Sequence, residues 1–448
     1  MTSKEVKQEL MANKVKKKGR ILYISYFAPP VGGARSIRLT YFVKYLIRLG
    51  WDIDILTIES PSSNPSYDKS LANDMPQNVQ VIRTYPGIVH SVLNRKRRHK
   101  DTFDFANART RSSRVRGFAK LLERNLLLPD RAIDWLPFAI KKGRSLIKEK
   151  EYQLIFSSAF PFTDHLIGYA LKRKAKIPLV LDYGDPWAYR LEAPRSRFAF
   201  VIDRRMETSV LKKADAVIVT TRTTKALYQE RYKFLGRNKV HVLPNGYERV
   251  HFEDTSHSRQ KDGLRLVHTG AIYGIRAEIQ PFFEGLKTAL TRMPEMQDEF
   301  SITMAGPVWR REYIDPSLTR FVKPIGFIDF KETISIMRNA SILVIWGNRG
   351  GLQVPSKVYQ YIGANRPILA ILADNQDPLR EVLIGLNRAI IVENESHEIA
   401  AALDKLFESY RKGEMDMEFC LKDVIKFEWP NIVKDLDGVL RTIYRQKG

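Results

Sequence analysis

The run Val354-Pro355-Ser356-Lys357-Val358-Tyr359-Gln360-Tyr361-Ile362 follows Gly350-Gly351 and sets a proline, a serine and a lysine where a helix should start. Proline suits a first helical position and serine a cap, so free N–H groups there, with the Lys357 ammonium, can hold a phosphate. A capped helix with an exposed lysine would use the same residues. Arg276, shortly after Thr269-Gly270, is a second cation that could reach the same phosphate, although an arginine in a loop is by default solvated. A third place is Phe27-Ala28-Pro29-Pro30-Val31-Gly32-Gly33-Ala34-Arg35, where Gly32 and Gly33 let backbone N–H groups approach a ligand at a helix start. That loop is neither a GxGxxG fingerprint nor a Walker loop, and a tight turn also needs glycine.

Carboxylates suited to acid/base or electrostatic work cluster in Asp182-Tyr183-Gly184-Asp185-Pro186-Trp187, and His165 follows Ser157-Ser158-Ala159-Phe160-Pro161 near a helix start. Asp185 and His165 are the expected catalytic candidates; a turn-forming or capping aspartate and a packed histidine are the plain alternatives. Asp52-Ile53-Asp54 has a metal-binding spacing but opens a strand away from the expected crevice, and no Cys/His set has zinc spacing. No metal is expected.

These residues must be positioned by a repeating framework. Strand-like runs are Ile21 to Ser25, Ile53 to Ile58, Val79 to Thr84, Leu154 to Ser157, Leu179 to Asp182, Ala216 to Thr220 and Val240 to Leu243. Helical periods such as Ser36 to Leu49, Thr163 to Lys174 and Ile202 to Lys213 alternate with them. After Pro244-Asn245-Gly246 the alternation restarts with Arg265 to His268, Ser301 to Ala305, Phe321 to Ile325, Ile342 to Trp346, Ile368 to Leu372 and Ala389 to Val392. Alternating β and α segments predict parallel sheets covered on both faces, so the fold class is α/β with two doubly wound, Rossmann-like domains. The expected division is a basic tail over 1–19, one domain over 20–246, a second over 263–425, and a final helix over 426–448 that could pack back on the first. In such sheets ligands sit beyond the carboxyl ends of the strands, where Gly270, Arg276 and Ser356 could converge.

A chain of 448 residues with 44% hydrophobic content folds, and no apolar run approaches the length of a membrane-spanning helix. A polar N-terminus and the single Cys420 predict a reducing, cytoplasmic setting. The net charge is +24, and more than half of the excess lies in residues 1–20 and 91–124. Such patches attract lipid headgroups, nucleic acid or charged substrates alike. Residues 91–124 precede bunched leucines, which fits either a basic amphipathic helix at a membrane surface or a solvated loop before a core helix.

Five segments in order, Pro29-Pro30-Val31-Gly32-Gly33, Ser157-Ser158-Ala159, Asp182-Tyr183-Gly184-Asp185-Pro186-Trp187, Pro244-Asn245-Gly246 and Pro355-Ser356-Lys357-Val358-Tyr359-Gln360-Tyr361, resemble motifs of glycosyltransferase family 4. The subgroup it looks most like acts in bacterial surface polysaccharide assembly. It typically shows a Pro-Pro-Gly-Gly-like loop, Ser-Ser-Pro, Asp-Phe-Arg-Asp-Pro-Trp, Pro-Asn-Gly and Pro-Ser-Lys-x-x-Glu-Tyr. The resemblance implies two Rossmann-like domains facing each other across a cleft, the GT-B type, and a retaining, metal-independent transferase. It implies a nucleotide diphosphate sugar, expected to be a UDP-sugar, held by the C-terminal domain, with no separate cofactor. The acceptor would be lipid-linked or a polysaccharide, at the inner face of the cell membrane; an anionic membrane surface is an expected partner and nucleic acid is not. Arg276 falls where the family places a basic residue on the diphosphate, and Ser356 and Lys357 on its phosphate-binding helix start. Gln360 stands where a ribose-binding Glu is common, and Gly184 replaces the Arg of Asp-Phe-Arg-Asp. Those departures keep open a silent partner subunit, or an epimerase of the same architecture.

Overall fold

The computed structural model describes residues 18–59, 69–88, 125–190, 195–253, 263–270, 275–306, 314–422 and 424–446; for 69, 275–277 and 416 it describes the backbone alone. Most of the basic tail and all of 91–124 therefore lie outside the described residues. Gly19, expected in the tail, opens the first strand.

Two parallel sheets make up the protein, each covered by helices on both faces. In the first, β1 (Gly19–Ile24), β2 (Trp51–Ile58), β3 (Gln80–Thr84), β4 (Leu154–Ala159), β5 (Leu179–Tyr183), β6 (Ala216–Val219) and β7 (Val240–Val242) run in the order β3-β2-β1-β4-β5-β6-β7. The second takes β8 (Leu264–Thr269), β9 (Phe300–Ala305), β10 (Val322–Gly326), β11 (Ile342–Trp346), β12 (Ile368–Leu372) and β13 (Ala389–Glu393) in the order β10-β9-β8-β11-β12-β13. The strand order reverses between β1 and β4 and between β8 and β11, and each reversal opens a crevice at the carboxyl edge. Strands such as β4, β5, β11 and β12 are buried along their whole length because helices cover both faces, which is why they read as largely apolar runs.

The helices that matter below are α1 (Ala34–Arg48), α2 (Leu136–Glu149), α3 (Thr163–Ala175), α4 (Arg197–Lys213), α5 (Arg222–Arg231), α6 (Ile275–Arg292), α7 (Phe330–Arg338), α8 (Lys357–Gly363), α9 (Ser396–Lys412) and α10 (Trp429–Arg445). α2, α3 and α4 cover one face of the first sheet through Leu146, Leu171 and Leu211. α1 and α10 cover the other, with Phe42, Leu46, Val433 and Leu436 in one apolar cluster. α10 thus follows the second sheet in sequence yet belongs to the first in space. Trp429 stacks on Tyr41 at 5.5 Å, and Asp437 accepts from Trp51 Nε1 at 2.8 Å and Lys18 Nζ at 2.9 Å.

The chain passes between the lobes at Tyr247 and returns at Glu428, and these crossings are hydrogen-bonded side by side. Tyr247 N–H donates to Phe427 O at 2.9 Å and Trp429 N–H to Tyr247 O at 3.1 Å. The carboxyl edges of the sheets also touch: the hydroxyls of Thr221 and Thr224, at the start of α5, donate to Leu352 O at 3.1 and 2.8 Å. Leu352 lies in the loop after β11, so the two crevices open toward each other.

Candidate active site

On the side of the second sheet, β8 ends at Thr269 and Gly270 turns the chain with φ +126°, a conformation that disfavours a side chain. A Cβ there would lie 3.9 Å from Cγ of Lys357, so the predicted Gly270 and Lys357 meet. Lys357 Nζ donates to Oε1 of the buried Gln360 at 3.2 Å, one helical turn on. Tyr361 fixes α8 against the sheet: its hydroxyl accepts from Thr269 N–H at 2.8 Å and donates to Val344 O at 3.3 Å. Burial pushes the Lys357 ammonium down to about 8. His268, which the sequence reading did not single out, lies against this group. Burial, assisted by the nearby Lys357 and opposed by the hydrogen bond that Nδ1–H donates to Val344 O, lowers its pKa to about 4, so it is neutral.

Ser356 immediately precedes α8 but has helical dihedrals and no capping side-chain bond, and α8 spans 7 residues. The expected serine cap is not formed. Ser356 is instead half-buried in the loop between Gly347 and Lys357. That loop is braced from below by Asp377, a buried carboxylate that accepts from Ala373 and Leu379 N–H groups and presses on Gly347, where any Cβ would collide with it. Arg349 reaches Glu278 at 2.8 Å and ties the loop to the first turn of α6. Arg276 belongs to that same first turn; its side chain lies outside the described residues.

Across the cleft, Gly33 has φ +114° at the start of α1, and a Cβ there would meet nothing within 4 Å. The next residues carry two arginines that sequence reading passed over. Arg38 is fully buried and uses all five donors: to Asp182 through Nε and Nη2, to Leu243 O, to Pro244 O at 2.8 Å and to Asn245 Oδ1 at 3.2 Å. The Pro244-Asn245-Gly246 segment is therefore held by a clamp at the carboxyl end of the sheet. Burial would raise the Asp182 carboxyl, but Arg38 and Arg35 outweigh it and hold the group below its ordinary range. Ser158 Oγ donates to the same carboxylate at 2.8 Å. Asp182 is a fixed counter-ion.

Arg35 lies nearer the surface, with 15% of its side chain exposed. Nη1 donates to Ala159 O at 3.0 Å and lies 3.6 Å from Asp182. Its guanidinium is pressed against Gly184, where an added Cβ would collide with it. Half-buried Asp185 follows directly; burial raises its carboxyl and the Arg35 charge opposes that rise. A cation and a carboxylate of raised pKa thus share the β1/β4/β5 end of the cleft, a combination suited to proton transfer or to holding a polar substrate.

His165 is placed differently from expectation. It is fully buried in the first turn of α3, bonded through Nδ1 to Ser157 Oγ at 2.6 Å and packed on Tyr183 at 4.3 Å between ring centroids. Burial lowers its pKa to about 3, with Asp182 opposing and Arg35 assisting. Its ring has no exposed surface in this conformation, which matches the packing alternative. The loop above it is shaped by Asp130, another residue with no sequence signal. Its carboxylate accepts from Phe162 N–H at 2.6 Å and Thr163 Oγ1 at 2.7 Å.

The Asp52/Asp54 pair is consumed by ion pairs at the amino end of β2: Arg20 to Asp52 at 3.4 Å and Lys150 to Asp54 at 2.7 Å. Among the described residues no three His, Cys, Asp or Glu side chains gather as a metal site, and no helix is long and apolar enough to cross a membrane.

Residues 105–249, about a third of the chain, match the model of Glycosyltransferase Family 4. No curated protein matches the chain. Among solved structures it is similar to a glycosyltransferase from Rickettsia africae ESF-5, with TM-score 0.61, 13% identity, and 96% of this chain and 99% of that one covered. It is similar to the trehalose-6-phosphate synthase OtsA (TM-score 0.63, 13% identity, 94% and 99% covered). A candidate UDP-N-acetylglucosamine 2-epimerase from Listeria monocytogenes is also similar (0.57, 10%, 96% and 97%). Transferases and an epimerase share this architecture, so the likeness establishes two Rossmann-like domains of GT-B type and leaves the reaction to the site.

Proposed function

We propose that the protein is a retaining glycosyltransferase of the family 4 kind, moving a hexosyl or N-acetylhexosaminyl group from a nucleotide diphosphate sugar to a lipid-linked or polysaccharide acceptor at the cytoplasmic face of the membrane. The observation that carries this reading is the meeting of Gly270, Lys357 and Gln360 at the β8/β11 reversal, opposite Arg35 and Asp185. The family match over 105–249 supports it, as does the binding of UDP and UDP-2-fluoro glucose by structures of similar fold. UDP-sugars are accordingly the first donors to try.

In this reading Gly270 lets the backbone approach the diphosphate and Lys357 neutralises the charge that develops on it as the glycosidic bond to the leaving phosphate breaks. Arg276 is the second cation on the diphosphate, Ser356 adds a hydroxyl beside it, and Gln360 offers an amide to the ribose while holding Lys357 in place. These charges need no metal to act. Gly33 leaves room for the acceptor, and Asp185 receives or orients its hydroxyl proton. His165 serves only as a neutral packing support. Thr221 and Thr224 keep the lobes in register so that water is excluded.

Gln360 and Gly184 are the two departures that would fit a silent subunit. The Arg35 guanidinium beside Gly184 keeps a cation at that place, which favours an active enzyme. Incubation with labelled UDP-sugars and membrane extract is expected to give transfer that falls about 100-fold or more in Lys357→Ala, the scale of losing one charge-stabilising donor. Transfer equal to that of the unaltered protein would overturn the site. Conversion of the UDP-sugar without acceptor would favour the epimerase.

A further inference from the structure

Helix α4 separates its charges completely. Its two acids point inward: Asp203 accepts from Trp187 Nε1 at 2.9 Å and pairs with Arg190, and Glu207 takes the hydroxyls of Tyr228 and Tyr232. All five of its cations, Arg197, Arg204, Arg205, Lys212 and Lys213, are exposed. Between them on the outer face stand Phe198, 70% exposed, and Val201 one turn later. Large apolar side chains so placed gain nothing from the fold.

The apolar end of this face adjoins the cleft. α4 follows β5, so its first turns stand at the carboxyl edge of the sheet, near Asp185. Ser196, capping α4, bonds Asn125, whose neighbour Leu126 is 72% exposed. Arg190 and Arg195 donate to Pro129 O, which draws residues 125–130 onto the same edge.

We infer that the outer face of α4, extended by Leu126, is the surface that seats the protein on an anionic bilayer, with Phe198, Val201 and Leu126 entering the interface and Arg204 and Arg205 meeting headgroup phosphates. The charge is complementary, and the mixture of aromatic, aliphatic and arginine side chains on one helix face matches the headgroup boundary. A nucleic acid would use the cations but leave Val201 and Leu126 without a partner. This inference rests on the reading of the protein as a transferase at a membrane face and names the contact: a bilayer at this edge brings a lipid-linked acceptor to the mouth of the cleft.

Co-sedimentation of the full chain with vesicles of phosphatidylcholine, alone or mixed with phosphatidylglycerol, tests it. The unaltered protein should pellet with the mixed vesicles only. Each cation near such a surface is worth about fivefold in partitioning, so Arg204→Gln with Arg205→Gln should lower binding about 25-fold. Phe198→Ser with Val201→Ser should also lower binding to the mixed vesicles, by removing the apolar side chains that enter the interface. All four positions are exposed, and unchanged melting of both variants excludes misfolding as the cause. No pelleting of the unaltered protein, or pelleting unchanged in both variants, overturns the inference. Transfer to a detergent-dispersed acceptor is read in parallel: retained transfer with lost pelleting confirms the docking surface. Absent transfer with intact, variant-sensitive pelleting removes the enzymatic reading and leaves the surface.

Discussion

The guanidinium of Arg35 lies in the space that a side chain at position 184 would fill, so the two residues behave as one unit although they are far apart in sequence. Gly184→Ala should expel Arg35 from Ala159 O and Asp182. Only the end of a flexible side chain must move, so the fold survives. Turnover is expected to fall about 10- to 100-fold, a misplaced-group effect, while calorimetry shows UDP binding unchanged because the donor residues lie in the other lobe. Arg35→Gly combined with Gly184→Arg should recover part of the loss. A second residue-scale expectation concerns Lys357, whose ammonium burial brings down to about 8. UDP affinity should decline as pH rises from neutrality through about 8, when the charge is lost. Lys357→Arg should remove that decline, since a guanidinium stays charged. In the free protein the sign is reversed: keeping this lysine charged costs stability below about pH 8, and the cost disappears toward the ordinary lysine value.

At the scale of elements, every strand-like run in the sequence forms a strand, with ends shifted by at most two residues, because parallel strands buried on both faces have few ways to look other than apolar. Lys357 and Gln360 were legible as neighbours, being one turn apart on one helix. Arg38, Arg35 and Asp130 were not: each acts across more than 30 residues of chain, and nothing local marks an arginine that will be buried. His165 misled for the converse reason, since a histidine beside a strand end looks the same whether its ring turns to the cleft or to Ser157. The attachment of α10 was open in the sequence and is explained by Asp437, a buried acceptor shared by Trp51 and Lys18. Asp437→Ala leaves the Trp51 indole N–H without its carboxylate. It should lower stability by about 1–3 kcal/mol in urea denaturation, with transfer at low temperature little changed.

For the whole molecule, the two lobes are joined where Tyr247 and Glu428 run side by side, and they touch again where Thr221 and Thr224 meet Leu352. The excess of positive charge was plain from the sequence, but its best-defined surface, on α4, was not, because the two long basic stretches outnumber it and only the fold turns Asp203 and Glu207 inward. The return of α10 to the first sheet also bears on biosynthesis. As the chain emerges from the ribosome, the seven-stranded lobe appears first but waits, with the apolar groove along α1 open, until the six-stranded lobe and α10 have been made. The lobe begun earliest is finished last, and nascent chains stalled inside the second lobe should engage chaperones through that open groove.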